Sequence, residues 1–337
     1  MKVLNSYLLL NNEGKGQDKL MKEIDVIIPV YKPDKAFLML IDSLQNQTVS
    51  IGKIIIINTE QKYFDRLVYG TPFFEKNKNV VITHIGKKEF NHGASRNLGV
   101  SKSQAPIFVM MTQDALPGDE HLIENLVRPL GKEEAAVSYA RQLPADDCNE
   151  MERFMRAFNY PAKSVEKSAR DIQRLGIKTY FCSNVCAAYK REVFDALGGF
   201  VKCTIFNEDM IYAAGAIKAG YLIAYAADAK VIHSHNYTCR QQFHRNFDLG
   251  VSQADHPEIF EGVPSEKEGI ALLKSLTRHL WKNRKRGKIP VFYINSAFRY
   301  AGFLLGKKYK RLPMALVMKC TSNKDYWGQI RRIKVTI

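Results

Sequence analysis

The sequence predicts an α/β protein, a mostly parallel sheet flanked by helices, carrying a basic helical appendage at its C-terminal end. Three observations predict it. Short runs that are apolar on both faces, at 24–30, 54–57, 80–83 and 107–111, alternate with helical patterns, as parallel strands buried on both sides do. The net charge of +16 is confined to one end: residues 1–268 hold 33 Lys/Arg and 33 Asp/Glu, whereas residues 269–337 hold 17 basic residues and one acid, Asp325. Hydrophobic content of 46% and charged content of 25% are ordinary for a soluble globular chain, and no run approaches the ~20 apolar residues of a spanning helix.

In chain order, the strand at 24–30 contains Pro29, which signals that pairing ends nearby. Pro33-Asp34 starts a helix with Phe37, Leu38, Ile41 and Leu44 on one face. The second strand, 54–57, stops at Asn58-Thr59-Glu60, and a shorter third follows at 80–83. A helix over 94–103 leads from the Phe90-Asn91-His92-Gly93 loop to the strand at 107–111, which ends abruptly at Thr112-Gln113-Asp114. The second part predicts a strand at 185–189, a helix from Arg191 stopped by Gly198-Gly199, a helix over 207–218, and short strands at 223–225 and 231–232. From about 238 the pattern is helical, with a break near Gly287 and Pro290. The six cysteines are too scattered for a disulfide framework, and Cys182 and Cys186 fit neither a redox nor a zinc spacing; they read as buried thiols of a reducing cytoplasm. Lys2 and Leu8-Leu9-Leu10 are too short a pattern for a signal peptide.

Ligands of open α/β sheets bind at the carboxyl ends of the strands. Tyr31, Asn58-Thr59-Glu60, the 90–93 loop and Gln113-Asp114 all fall there and outline a pocket rim. Downstream, "FNEDM" sets Glu208-Asp209 at a helix start, either as acids favoured by the helix dipole or as functional carboxylates. "VIHSHNY" sets His233 and His235 two apart, so both point to one face. A divalent cation held by one carboxylate and a diphosphate would take a further ligand from such a loop. Arg96 and Asn97 read either as helix-surface residues or as groups facing a phosphate or a sugar.

The stretches "DVIIPVYKP", "FNHGASRNLG", "TQDALP", "FCSNVCAAYKREVFDALGGF", "FNEDM" and "HSHNY" together resemble glycosyltransferase family 2, over roughly residues 22 to 260. Within it they resemble the bacterial rhamnosyltransferases of surface polysaccharide synthesis. The resemblance implies a GT-A fold at 22–260, with a nucleotide-binding part at about 22–115 and an acceptor part at about 116–260. On this view 1–21 is an N-terminal extension and 261–337 the basic helical region. It implies a nucleotide-sugar donor (dTDP- or UDP-linked) and a divalent metal, Mn or Mg, bridging its diphosphate. Asp114 then matches the last carboxylate of the family's D-x-D, with Thr112 in place of the first, and His235 would make up the coordination. Asp209 matches the general base of inverting transfer. Pro29, Tyr31 and Asn58 match the nucleoside-binding strand ends, with Glu60, Asn91, Arg96 and Gln113 completing the donor site. Gln242-Phe243-His244-Arg245 is followed by Asn246, not by the Trp of the processive Q-x-x-R-W motif, which points to non-processive transfer. The expected reaction is transfer of L-rhamnose from dTDP-rhamnose to a growing, lipid-linked saccharide. The alternatives are a UDP-hexose donor or a non-catalytic GT-A-like binding module.

Residues 274–311 carry 12 basic residues and no acid, interleaved with Leu276, Leu280, Trp281, Phe292, Tyr293, Phe298, Leu304 and Leu305. No nucleic-acid motif accompanies the charge, so no nucleic acid is expected. A basic amphipathic pattern with Trp and Phe predicts an anionic membrane surface as partner, hence a cytoplasmic protein peripheral on the inner face of the membrane. Removing 274–337 is expected to leave the neutral body intact.

Overall fold

A computed structural model describes residues 23–263 and 266–336; the expected extension at 1–21 lies outside the described residues. The first apolar runs become β1 (Ile24–Tyr31), β2 (Ile51–Thr59), β3 (Val80–Ile85) and β4 (Ile107–Met111), all parallel, with α1 (Lys35–Gln45) and α2 (His92–Ser101) among the connections. Asp34 caps α1 by accepting the Ala36 N–H at 2.9 Å. The helix buries Phe37, Leu40, Ile41 and Leu44, while Leu38 is only partly covered. Pro29 lies inside β1 opposite Ile57, where β1 has already left β4, whose pairing stops at Ile27 and Met110.

The second half of the sheet comprises β5 (Leu116–Pro117), β6 (Ala135–Leu143), β7 (Val165–Lys167), β8 (Cys186–Lys190) and β9 (Leu222–Ile232). The order is β3-β2-β1-β4-β8-β6-β9-β5, with β7 on β9. The two short strands expected at 223–225 and 231–232 are one strand, β9, whose register against β6 shifts between Ala140 and Arg141. β8 runs antiparallel to both β4 and β6, and β6 and β9 are parallel to each other. The carboxyl ends of β1, β2, β4, β6 and β9 and the segment entering β8 therefore share one edge. There the Thr112 N–H donates to Val185 O at 3.1 Å and the His233 N–H to Leu143 O at 2.9 Å.

Two further helices frame that edge, α3 (Glu150–Asn159) and α4 (Glu208–Lys218). The helical C-terminal part forms α5 (Cys239–Asp255), α6 (Glu266–Lys282), α7 (Ile289–Lys307), α8 (Met314–Cys320) and α9 (Lys324–Thr336), with the expected break falling between α6 and α7. The expectation that this region is separable from the body needs correction. α7 crosses α5 backbone to backbone: a Cβ at Gly302 would lie 2.2 Å from Phe243 O, and one at Gly306 2.1 Å from Phe247 O. Ile205, Phe247 and Val251 share a buried cluster with Val317, Tyr326 and Trp327. Gln329 donates to Lys88 O (3.0 Å) and Phe90 O (2.7 Å), and Lys87 pairs with Asp325 at 3.1 Å. Much of the region is thus part of the fold. Among the described residues, no helix is long and apolar enough to cross a membrane.

Candidate active site

The abrupt end of β4 puts Asp114 opposite the loop leaving β9. His233 Nε2 lies 3.6 Å from one carboxylate oxygen and His235 Nε2 3.3 Å from the other, and the two ring nitrogens are 3.1 Å apart. The three donor atoms fall within 4.8 Å of one another. A cation with bonds of about 2.0–2.6 Å sets ligands at right angles about 2.8–3.7 Å apart, so the cluster fits the three as neighbours around one ion. Burial by itself would raise the Asp114 carboxyl, yet the two imidazoles hold it well below the usual range. Burial pushes the His233 ring down. Such a ring offers a neutral lone pair, which is the metal-binding form.

Asp209 starts α4, reached through Asn207 in the left-handed region at φ 65°. Its carboxylate accepts the Asn184 N–H at 2.9 Å and the Met210 N–H at 2.8 Å. Asn184 lies two residues before β8, so this bond holds Asp209 at the edge that carries Asp114. Desolvation and the adjacent Glu208 charge push Asp209 up to about 7, against the opposing effect of its two backbone donors and Arg96. It keeps partial access to solvent. A carboxylate of that kind can take a proton near neutral pH.

Several residues expected at the ligand are used inside the protein. Arg96 pairs with Glu208 at 3.2 Å, each side chain only 7% exposed, and also donates to His92 O at 3.0 Å. Its long stem reaches inward to a buried acid that needs a counter-ion. Asn91 caps α2 by accepting the Gly93 and Ala94 N–H groups. Asn58 is fully buried and bonded to His84 Nδ1 at 2.9 Å. Gln113 forms a reciprocal pair with the Tyr31 backbone (2.7 and 3.1 Å), extending the β1–β4 contact beyond the ladder. By contrast, Tyr31 and Glu60 lie at the ends of β1 and β2 with access to solvent. The Tyr31 ring meets Tyr63 edge-on at 5.8 Å, Lys32 Nζ lies 5.3 and 5.1 Å from the two rings, and Glu60 accepts the Lys87 N–H at 2.9 Å.

Two residues at the cluster carry no assigned role in the sequence pattern. His233 joins His235 in the cluster, although only His235 was expected as a ligand. Arg245 lies 4.7 Å from the Tyr237 ring, which in turn packs 5.0 Å from His235, so a cation borders the cluster. Its signal was present as the Arg of the incomplete Q-x-x-R-W. All six cysteines are free, and burial raises Cys182 to about 12, so it is an inert thiol.

Residues 25–198 match the sequence profile of the family described as Glycosyl transferase family 2. The chain is 40% identical over 313 residues to the O-antigen chain rhamnosyltransferase RfbN of Salmonella typhimurium, covering 92% of this chain and 97% of that one. It is 37% identical over 316 residues to the O-antigen chain rhamnosyltransferase WbaN of Salmonella anatum, covering 92% and 98%. Among solved structures, the mannosyltransferase PcManGT of Pyrobaculum calidifontis, in complex with GDP-Man and Mn2+, superposes with a TM-score of 0.52 at 17% identity over 91% of this chain and 82% of that one.

Proposed function

Because the chain belongs to glycosyl transferase family 2 and is a glycosyltransferase with a GT-A fold, we propose that it carries L-rhamnose from dTDP-rhamnose to a growing, lipid-linked polysaccharide. The transfer is inverting, non-processive and metal-dependent. The sugar and the polysaccharide acceptor are supported by the two O-antigen chain rhamnosyltransferases, to which most of the chain is similar. The observation that supports the mechanism is the meeting, at one sheet edge, of an Asp/His cluster able to hold a cation and a carboxylate poised near neutrality.

In this reading Asp209 accepts the proton of the acceptor hydroxyl as the new C–O bond forms, a contribution of typically 10²–10⁴-fold. The two backbone N–H groups orient its carboxylate, and Glu208 keeps it basic. Asp114, His233 and His235 would hold the cation, which when bound stabilises the negative charge of the departing diphosphate. A set of two imidazoles and one carboxylate suits Mn better than Mg, whose preference is for oxygen. The D-x-D position taken by Thr112 is made good by the second histidine. Tyr31, Glu60 and the Lys32–Tyr63 pair line the donor rim, while Pro29, Asn58, Asn91, Arg96 and Gln113 hold that rim in place.

The membrane is proposed as the place of action. α7 exposes Val291 (59%), Ile294 (54%) and Phe298 (44%), spaced along one face, and Tyr293 and Tyr300 beside them. Basic residues bracket it, from Lys282 to Lys288 before and Lys307 to Arg311 after. An anionic surface complements both features. The enzymatic test is transfer of labelled sugar from dTDP-rhamnose to a lipid-linked saccharide with Mn2+, with inversion read from the anomeric configuration of the product. Turnover with a UDP-hexose and none with dTDP-rhamnose would overturn the donor. Retention of configuration would overturn Asp209 as sole base.

A further inference from the structure

We propose that Gln142 is the positioning residue that sets the tautomer of His233 and so prepares the cation cluster. It sits near the end of β6, 2% exposed, and all its polar capacity points inward. Its Oε1 faces both Arg156 and His233 Nδ1, the latter at 3.1 Å; its Nε2 donates to Tyr160 OH at 2.6 Å and Ser183 Oγ at 2.9 Å. The orientation of the amide follows from chemistry. A guanidinium only donates, so the atom facing Arg156 is the carbonyl oxygen. The His233 nitrogen facing that same oxygen therefore carries the hydrogen. In the neutral ring Nε2 is then left bare, and it is the atom that faces Asp114 and His235. Partners of this kind on a ligating histidine typically control metal affinity 10–100-fold.

Arg156 is itself held by Glu152, at 2.6 Å, so the oxygen that His233 meets is fixed from behind. The other end of the amide holds Ser183, next to Asn184, whose N–H donates to Asp209. One side chain thus ties the cluster to the segment that orients the base.

The inference rests on the reading of Asp114, His233 and His235 as a cation site, and the experiment separates the two. Full-length protein is titrated with Mn2+ alone, read by electron paramagnetic resonance, for wild type, Gln142→Met, Gln142→Glu and Ser183→Ala. Metal-free, 15N-histidine-labelled protein is examined in parallel for the His233 tautomer. Gln142→Met should weaken Mn2+ binding about 10–100-fold and release the Nδ1–H tautomer. Gln142→Glu keeps the acceptor and should stay within about threefold of wild type, and so should Ser183→Ala, which alters only the far end of the amide. Wild type that binds no Mn2+ overturns the cluster. Wild type that binds, with His233 protonated on Nε2 or with Gln142→Met unchanged, overturns the role of Gln142. If Gln142→Met does not fold, Gln142→Glu decides: a loss as large as tenfold, with the acceptor retained, refutes the proposal.

Discussion

Replacing Asp209 by Asn should make the protein inactive and, at alkaline pH, more stable. The carboxyl is raised from 3.8 to about 7 by desolvation and by Glu208. That difference corresponds to about 4 kcal/mol between protonation states, an upper bound since Asp209 retains some solvent access. For a raised acid the folded state binds the proton more tightly. Stability is therefore highest below about pH 4, where both states are protonated, and is lost as pH rises through about 7. Asn escapes this loss. It also has one oxygen where Asp209 uses two, so either the Asn184 or the Met210 N–H loses its acceptor, costing about 1–3 kcal/mol. The net gain at about pH 8 is then roughly 1–3 kcal/mol, turning into a net loss near pH 4–5. Urea denaturation of both proteins at the two pH values reads the difference, and initial rates should fall more than 100-fold with donor affinity within a few-fold. A variant whose relative stability does not rise with pH would refute the raised carboxyl. Transfer within tenfold of wild type would refute the base.

Glu208→Gln removes the like charge beside Asp209 and leaves Arg96 unopposed, so the acid limb of kcat/KM should move below its wild-type position near pH 7; a shift upward contradicts the assignment. Asp114→Ala and His235→Ala should weaken donor binding with Mn2+ present and leave the residual affinity in EDTA unchanged, measured by calorimetry; equal wild-type affinity with and without EDTA removes the metal from the reaction. Gly302→Ala drives a methyl against Phe243 O and should cost about 1–3 kcal/mol in thermal or chemical unfolding, which a freely hanging tail would not show. Val291, Ile294 and Phe298 changed together to Ser should lower cosedimentation with anionic vesicles roughly 100-fold, at about 1 kcal/mol for each half-buried side chain, without altering transfer to a water-soluble acceptor. Binding that ignores both these residues and lipid charge would rule out the membrane face.

What could be read in the sequence was whatever depends on local pattern. β1 to β4 are near-continuous apolar runs, and their polar ends do gather at one edge. β6 was missed because "AAVSYARQL" is rich in Ala and carries no alternation; small residues suit a strand packed between β8 and β9 but do not announce one. With β6 went Gln142, and with Gln142 the contact that orients the His233 ring beside His235. The intrachain partners of Arg96 and Asn91 were not legible for another reason. Which partner a polar helix residue finds is set by tertiary contact, and Glu208 is far from Arg96 in the chain.

The C-terminal region shows how one pattern can serve two purposes. α7 carries a single charged residue between Ile289 and Gly306, Arg299, and that one turns inward to Met155. A helix apolar nearly all round is ordinarily buried on every side. Here one side is buried: Gly302, Phe303 and Gly306 lie against α5, and Phe292 against Leu276 and Leu280. The other side, Val291, Ile294 and Phe298, has no cover within this chain among the described residues. A protein partner would not need the cations at both ends of the helix, whereas an anionic bilayer surface uses the apolar stripe and the flanking charge together. Since Lys285 and Lys288 are also bound to Glu150 at 2.5 and 2.6 Å, the α6–α7 turn is fastened to the start of α3. There Asn149 bonds Asn236, the neighbour of His235. The surface that would meet the lipid is therefore mechanically continuous with the loop that would hold the cation, which is where the proposed lipid-linked acceptor would arrive.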